Sequence, residues 1–297
     1  MLHLLAAPAI SAVVPTLPPS VMAAVLVAAA VHATWNAIAP GITDKLVAFT
    51  LVGTGGALGA VPLVLWSPLP QGQCWPFLAA SVVLHVIYTV LLMHAYRLGD
   101  FSQVYPLARG TAPLVVTILA AVFIGETPSR FQAVGVLAIA AGLGSLVVAG
   151  HRHRRGGGAA MSAAVATGLA IAAYTTVDGI GVRLSHTSLG YAGWLLLLEG
   201  SVIPLFAVAR HRRALLEQIR PVWAIGLAGG VLSLLAYGLV LWAQTRGPLG
   251  PIAALRETSI IFGALIGALV FHERFGRPRI LATIVVACGI LALTVSR

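Results

Sequence analysis

The chain has 297 residues, 59% of them hydrophobic and only 9% charged, against about a quarter charged in an ordinary soluble domain. So few charges cannot clothe a water-facing surface. The net charge of +10 comes without a long basic face or an aromatic-interleaved basic stripe, which excludes a nucleic-acid partner, and the arginines are better explained by membrane topology.

The first nineteen residues are apolar and Pro-rich with no basic leader, so a cleaved signal peptide is not expected. From there the apolar residues come in blocks of about twenty rather than in the 3.6-residue stripe of a half-buried helix, and a block that long spans a bilayer core. Boundaries set by Pro, Gly and charge predict helices at 20–38, 46–66, 76–97, 101–124 and 130–149. The Gly-rich basic stretch from His151 to Gly158 reads as a linker (150–159). Five more helices are then predicted at 160–183, 189–209, 221–245, 249–271 and 278–296. The fold class expected is an all-α polytopic membrane protein of ten transmembrane helices, in two five-helix repeats over 20–149 and 160–297.

The repeat is carried by Arg109, Thr111, Glu126, Arg130 and Gly142, which align at one constant offset with Arg256, Thr258, Glu273, Arg277 and Gly289. Ala95 and Gly99 pair with Ala243 and Gly247 after a shift of one. An odd number of spans per copy inverts the second copy in the bilayer, an arrangement typical of transporters. With ten spans both termini share one side, and the dense Arg segments at 152–155, 210–220 and 274–279 lie on the other. The positive-inside rule then puts the termini outside the cytoplasm. Cys74 and Cys288 lack the spacing of a disulfide framework or a metal site. They read as small apolar filler, and neither metal nor cofactor is expected.

Several strings carry a family resemblance. His32-Ala33-Thr34-Trp35-Asn36-Ala37 closes the first helix, and Ala95-Tyr96-Arg97-Leu98-Gly99-Asp100 leads into Tyr105-Pro106-Leu107-Ala108-Arg109-Gly110. Tyr174-Thr175-Thr176-Val177-Asp178-Gly179, Leu255-Arg256-Glu257-Thr258-Ser259 and Gly125-Glu126 complete the set. Together they resemble the drug/metabolite transporter superfamily, in particular its bacterial EamA-type members, over nearly the whole chain from residue 20. The counterpart of Gly125-Glu126, His272-Glu273, keeps the acid and loses the glycine. Where similar sequences tend to carry a Lys soon after the Trp-Asn pair, this chain has Ala39-Pro40-Gly41. The resemblance implies a multi-pass protein of the inner (plasma) membrane with a central substrate cavity, exporting a small metabolite by alternating access. It does not choose among amino acids, sugars, nucleotide sugars and cationic compounds.

Polar residues inside the spans mark a candidate site. Arg109 lies about 12 Å into its helix and Arg256 occupies the equivalent place. A charge near the bilayer centre costs about 2.5 to 3.5 kcal/mol on insertion scales, so each should face a cavity or a partner. Two readings stay open: a structural pair bound to carbonyls or acids, or direct contact with an anionic substrate group. Glu199 sits midway through its predicted span with no other charge there, and is the first candidate for proton coupling, with a hydrogen-bonded structural carboxyl as the alternative. Glu257 either relays to Arg256 or pairs with another element. Tyr174 and Asp178, His32 and Asn36, and Tyr105 and Arg109 are each four apart on one helix face. Asp178 joins Glu199 and Glu257 as a proton-coupling candidate, and His32 is either a proton carrier or a structural histidine. Tyr88, Tyr105, Tyr174 and Tyr237, with Trp35, suit a cavity for an amphipathic or cationic molecule, while Trp66 and Trp75 suit the membrane interface. Pro106 and Pro113 around Arg109, and Pro248 and Pro251 before Arg256, would free backbone groups near the midplane. Glu126 and Glu273 are expected at the interface in a structural or gating role. Gly53, Gly55, Gly56 and Gly59, and Gly263 and Gly267, are expected at close helix contacts.

The function expected is transport of an amino-acid-like or other zwitterionic metabolite, with proton coupling, and its partners are a small-molecule substrate and the lipid bilayer. Efflux of cationic compounds is the alternative, and homodimer and monomer both remain open. No paired loop carboxylates, metal-spaced histidines or nucleophile motif point to an enzyme, and a scaffold protein would not need arginines buried in both halves.

Overall fold

The computed structural model describes residues 17–38, 42, 44–99, 101–150, 157–270 and 277–295. Among them are eleven α-helices and no strand: α1 (Pro19–Ile38), α2 (Lys45–Trp66), α3 (Trp75–Leu98), α4 (Phe101–Phe123), α5 (Arg130–Gly150), α6 (Gly158–Ser185), α7 (Ser188–Ile219), α8 (Trp223–Gln244), α9 (Leu249–Arg256), α10 (Ser259–Val270) and α11 (Arg277–Val295). Residues 39–41, most of the linker, Asp100, His272 and Glu273 lie outside the described residues.

Local chemistry sets several of these boundaries. The Asp44 carboxylate accepts from the backbone N–H of Leu46 and Val47, at 2.8 and 3.3 Å, and opens α2. Ser129 and Gln132 form a reciprocal capping box before α5, Ser129 N–H to Gln132 Oε1 at 2.9 Å and Gln132 N–H to Ser129 Oγ at 3.2 Å. Past the end of α4, Gly125 takes the left-handed conformation, φ 78°, which suits a residue without Cβ.

Seven helices, α1 to α4 and α6 to α8, are long and apolar enough to cross a membrane, and α5 and α11 contain shorter apolar stretches. Their outward faces carry Leu65, Val122, Leu205 and Leu291, all exposed. An aqueous surface would not be built this way, whereas hydrocarbon is a good solvent for it. The chain is a multi-pass membrane protein.

Two expectations need correction. The ninth span is not one helix: α9 ends at Arg256 and α10 begins at Ser259. The prolines are not the cause, because Pro248 caps α9 and Pro251 sits in its first turn, where a missing N–H leaves nothing unpaired. The break lies beyond them, where Glu257 and Thr258 N–H turn to carbonyls three residues back, Ala254 and Leu255, each at 3.1 Å. By contrast α4 stays continuous through Pro106 and Pro113. Secondly, α7 runs on to Ile219 instead of ending near 209, with Leu215 buried against Ile42 and Val47. Glu199 therefore shares its helix with Arg210 and Glu217.

The helices cross in recurring pairs. α2 lies on α7 and α8, α5 on α11, α3 on α6, α1 on α8, α9 and α10, and α4 on α5, α6 and α9. Small residues set the closest crossings. A Cβ on Gly53 of α2 would stand 2.6 Å from the Gly200 carbonyl oxygen of α7, and one on Gly200 would stand 2.6 Å from the Gly53 oxygen. Gly135 of α5 and Gly289 of α11 meet in the same reciprocal way at 2.8 Å. Such contact needs glycine on both sides. Gly263, expected at a close contact, faces open space. Trp66 is exposed at the end of α2, while Trp75 packs edge-on against Trp194 with ring centroids 5.3 Å apart. Cys74 is buried and Cys288 faces outward, both as free thiols.

Replacing Gly53 by Val should push α2 off α7 and destabilise the protein by about 1 to 3 kcal/mol. Thermal unfolding of the purified variant in detergent checks this, with Gly263→Val, in open space, as the control that should be far milder.

Candidate functional site

A cavity of about 140 Å³ lies among the helices. It is lined by residues from α1 to α4 and α6 to α9, including Trp35, Phe49, His85, Tyr88, Arg109, Tyr174, Glu199, Tyr237 and Arg256. Of the residues marked in the sequence, His32, Trp35, Tyr88, Arg109, Tyr174, Glu199, Tyr237 and Arg256 face this cavity. Asn36, Tyr105, Asp178 and Glu257 stand behind its wall. Both α2 and α7 contribute to the lining.

The basic wall is built on the α9–α10 break. Glu257, fully buried there, places Oε2 2.6 Å from Arg109 Nε and Oε1 3.8 Å from Arg256 Nε. Arg109 also donates from Nη2 to Ser259 Oγ at 3.1 Å and stacks its guanidinium over Tyr105 at 5.7 Å. Two cations and one anion share the space, leaving one net positive charge. Arg109 is fixed by the carboxylate, the hydroxyl and the ring. Arg256 is held more loosely and reaches the cavity, so its guanidinium is the group better placed to meet an anion. Glu257 is thus a partner of both arginines, across a helix pair far apart in sequence.

The opposite flank carries acid and imidazole. Glu199 of α7 has Oε2 3.4 Å from Nδ1 of His85 on α3. The His85 ring stacks on Tyr174 at a centroid distance of 3.9 Å and meets Tyr237 edge-on at 5.5 Å. Its Nδ1 also lies 3.0 Å from the Ser81 carbonyl oxygen and 3.1 Å from Ser81 Oγ. Asp178 is fully buried behind Tyr237 and accepts from the hydroxyls of both Tyr237 and Tyr191, the latter at 3.0 Å. Sequence reasoning missed His85. The signal available was a stripe at helical spacing on α3, Ser81, His85 and Tyr88, polar side chains on one face of an otherwise apolar span.

Near the end of α1, Trp35 Nε1 donates to His32 Nδ1 at 3.3 Å, and Asn36 turns its amide back to the His32 carbonyl at 3.0 Å. At the far ends of α4, α6 and α8 a separate clasp forms. Arg183 Nη1 lies 2.7 Å from Glu126 Oε1, and Arg183 donates to the Gln244 and Gly247 carbonyls at 2.8 and 2.9 Å. Glu126 Oε2 accepts from Leu249 N–H at 2.7 Å, capping the start of α9. Arg183, not singled out in the sequence, joins three elements there.

Residues 158–295 match the EamA-like transporter family. No curated protein sequence matches the chain. Twenty-eight solved chains match its fold. One of them, a crystal structure titled only as that of a protein, superposes with a TM-score of 0.75 at 16% identity, covering 94% of this chain and 99% of its own. At that identity the likeness speaks for the fold.

Converting Glu257 to Gln should leave Arg109 buried without its counter-charge and cost about 3 to 5 kcal/mol, as for removal of one partner from a buried ion pair. Unfolding of Glu257→Gln, Arg109→Gln and the double variant measures the coupling. A double variant more stable than Glu257→Gln is expected.

Proposed function

We propose, from the premise that residues 158–295 belong to the EamA-like transporter family, that this membrane transporter carries a zwitterionic, amino-acid-like metabolite through the central cavity by alternating access. The observation that carries the reading is the division of charge on the cavity wall. Arg256, loosely held, and Arg109 stand on α9 and α4, while Glu199 stands on α7. A substrate carboxylate would complete the neutralisation of the two arginines and one acid, and a substrate ammonium would be met by Glu199 and the tyrosine faces.

The alternating-access part takes the chain as an inverted pair of five-helix repeats, and the pattern of helix contacts is consistent with it. Taking α9 and α10 together as one broken span, exchange of the first five spans for the last five turns the contact of α3 with α6 into that of α8 with α1, and the contact of α4 with α6 into that of α9 and α10 with α1. The contacts of α2 with α7 and α5 with α11 map onto themselves. Such pairwise exchange is what a two-fold relation in the membrane plane requires. Location in the inner membrane, export as the direction and proton coupling through Glu199 complete the proposal, with Asp178 as a second acid held in reserve behind Tyr237.

A cationic compound is the second reading, favoured by the three tyrosines and Trp35 around Glu199. A single panel separates the two. Thermal stabilisation of the purified protein by amino acids, organic anions, sugars and quaternary amines should select amino acids, with about 2.7 kcal/mol at a hundredfold excess over Kd. Arg256→Gln should abolish that shift while the protein still melts cooperatively. Selection of quaternary amines, indifferent to Arg256→Gln, would favour the cationic reading.

In vesicles of known orientation, Glu199→Gln should lower pH-gradient-driven transport at least tenfold. Unchanged dependence on the gradient would remove Glu199 from the coupling step.

A further inference from the structure

His85 belongs to neither arginine group and has no part in binding a carboxylate, yet it is a buried histidine on the cavity wall with an acid beside it. On α7, Glu199 Oε2 lies 3.4 Å from its Nδ1. Ser81, one turn before His85, is hydrogen-bonded to His85 Nδ1, and on α6 the buried Asp178 is linked to the ring through Tyr237. Tyr174 of α6 covers one face of the ring and Tyr237 of α8 meets its edge, the same Tyr237 that donates to Asp178. Arg109 and Arg256 are the other charges on this cavity.

The Ser81 carbonyl favours one tautomer. A backbone carbonyl oxygen only accepts, and Nδ1 stands 3.0 Å from that of Ser81, so a hydrogen on Nδ1 satisfies it. The second ring nitrogen holds the lone pair. Protonating it places an imidazolium beside the Glu199 carboxylate, a far better place for a cation than any apolar stretch of the span. A histidine is also the side chain whose charge changes nearest physiological pH.

We infer that His85 is the proton-binding residue of the transport cycle, with Glu199 as the acid that stabilises its charged form. This inference rests on the proton-coupling part of the proposed function. The step is a proton transfer alone: a proton from cavity water adds to the free ring nitrogen, forming one N–H bond, and leaves to water when the cavity faces the other side. A substrate ammonium arriving at Glu199 competes with the imidazolium for the same carboxylate, so substrate entry and proton release are linked through one acid. Glu199 then positions and discharges the proton, while the buried Asp178 holds the hydroxyl of Tyr237, whose ring meets the imidazole edge.

The test is proton uptake by the purified, detergent-solubilised protein during titration from about pH 8 to 5, with wild type, His85→Asn and His94→Asn compared. Asn replaces the Nδ1 donor but cannot take a proton, and His94 is an exposed histidine of the same helix. A variant that melts cooperatively and takes up about one proton fewer than His94→Asn is the expected result; equal uptake overturns the inference without any substrate. In proteoliposomes, the ratio of pH-gradient-driven accumulation to exchange at equal pH is then read with a radiolabelled mixture of the protein amino acids. The inference requires a fall of at least tenfold in that ratio for His85→Asn. A wild type driven by the gradient beside an equally driven variant overturns the role of His85 alone. A wild type that exchanges amino acids but ignores the gradient overturns the coupling itself.

Discussion

The carboxylate of Glu257 sits where the helix carrying it stops, and the arrangement of the cavity depends on it. An arginine in a membrane span is costly unless an acid or a polar cavity receives it, and two, Arg109 and Arg256, stand at this cavity. Glu257 is fully buried between them, 2.6 Å from one and 3.8 Å from the other. The backbone there changes to hydrogen bonds to carbonyls three residues back at 257 and 258. Adjacent side chains on a helix diverge by about 100°, which fits the longer contact of Glu257 with its neighbour Arg256 and the shorter one with Arg109 of α4. Helix break, ion cluster and cavity wall are one construction.

The asymmetry inside that cluster matters for binding. Arg109 has a close ion pair, a hydroxyl and a tyrosine ring, and its guanidinium is immobilised from several directions. Arg256 keeps a longer contact with the same acid. A guanidinium already committed to a short ion pair has little to offer a ligand, whereas one held at 3.8 Å can turn towards an incoming carboxylate with little loss of existing bonding. The arginine pair read from the sequence as two equivalent residues is therefore unequal in its bonding, Arg109 held from three directions and Arg256 by the longer contact alone. Under the proposed function the first supports and the second receives.

How much was legible follows from what each signal measures. Arg109, Arg256 and Glu199 stood out because a charge in an apolar block has no ordinary explanation, and all three line the cavity. The spans were legible for the same reason, since twenty apolar residues have few uses outside a bilayer. His85 was not, because one histidine in an apolar helix has a bland explanation, and its partners on α6, α7 and α8 lie about ninety to a hundred and fifty positions away. The Arg183 clasp was hidden likewise: two of its bonds run to backbone carbonyls at and just past the end of α8, which no residue identity announces, and its acid, Glu126, is 57 positions away. The break at 257 escaped because the visible helix breakers, Pro248 and Pro251, stand where prolines are harmless. Glu257 was singled out, but its link to Arg109 joins two chain segments whose crossing no local pattern encodes.

The glycine crossings have a mechanical side. On one flank α2 meets α7 through Gly53 and Gly200, and on the other α5 meets α11 through Gly135 and Gly289, with backbone resting on backbone in both. Helices joined by interlocked side chains must lift ridges out of grooves before they can turn. At the first seam each glycine's nearest neighbour is the other's carbonyl oxygen, and both glycines line the cavity, whereas at the second Leu293 and Ile139 also pack onto the glycines. The first seam is therefore the smoother bearing, and under the proposed rocking motion it would disturb fewer rotamers than the second.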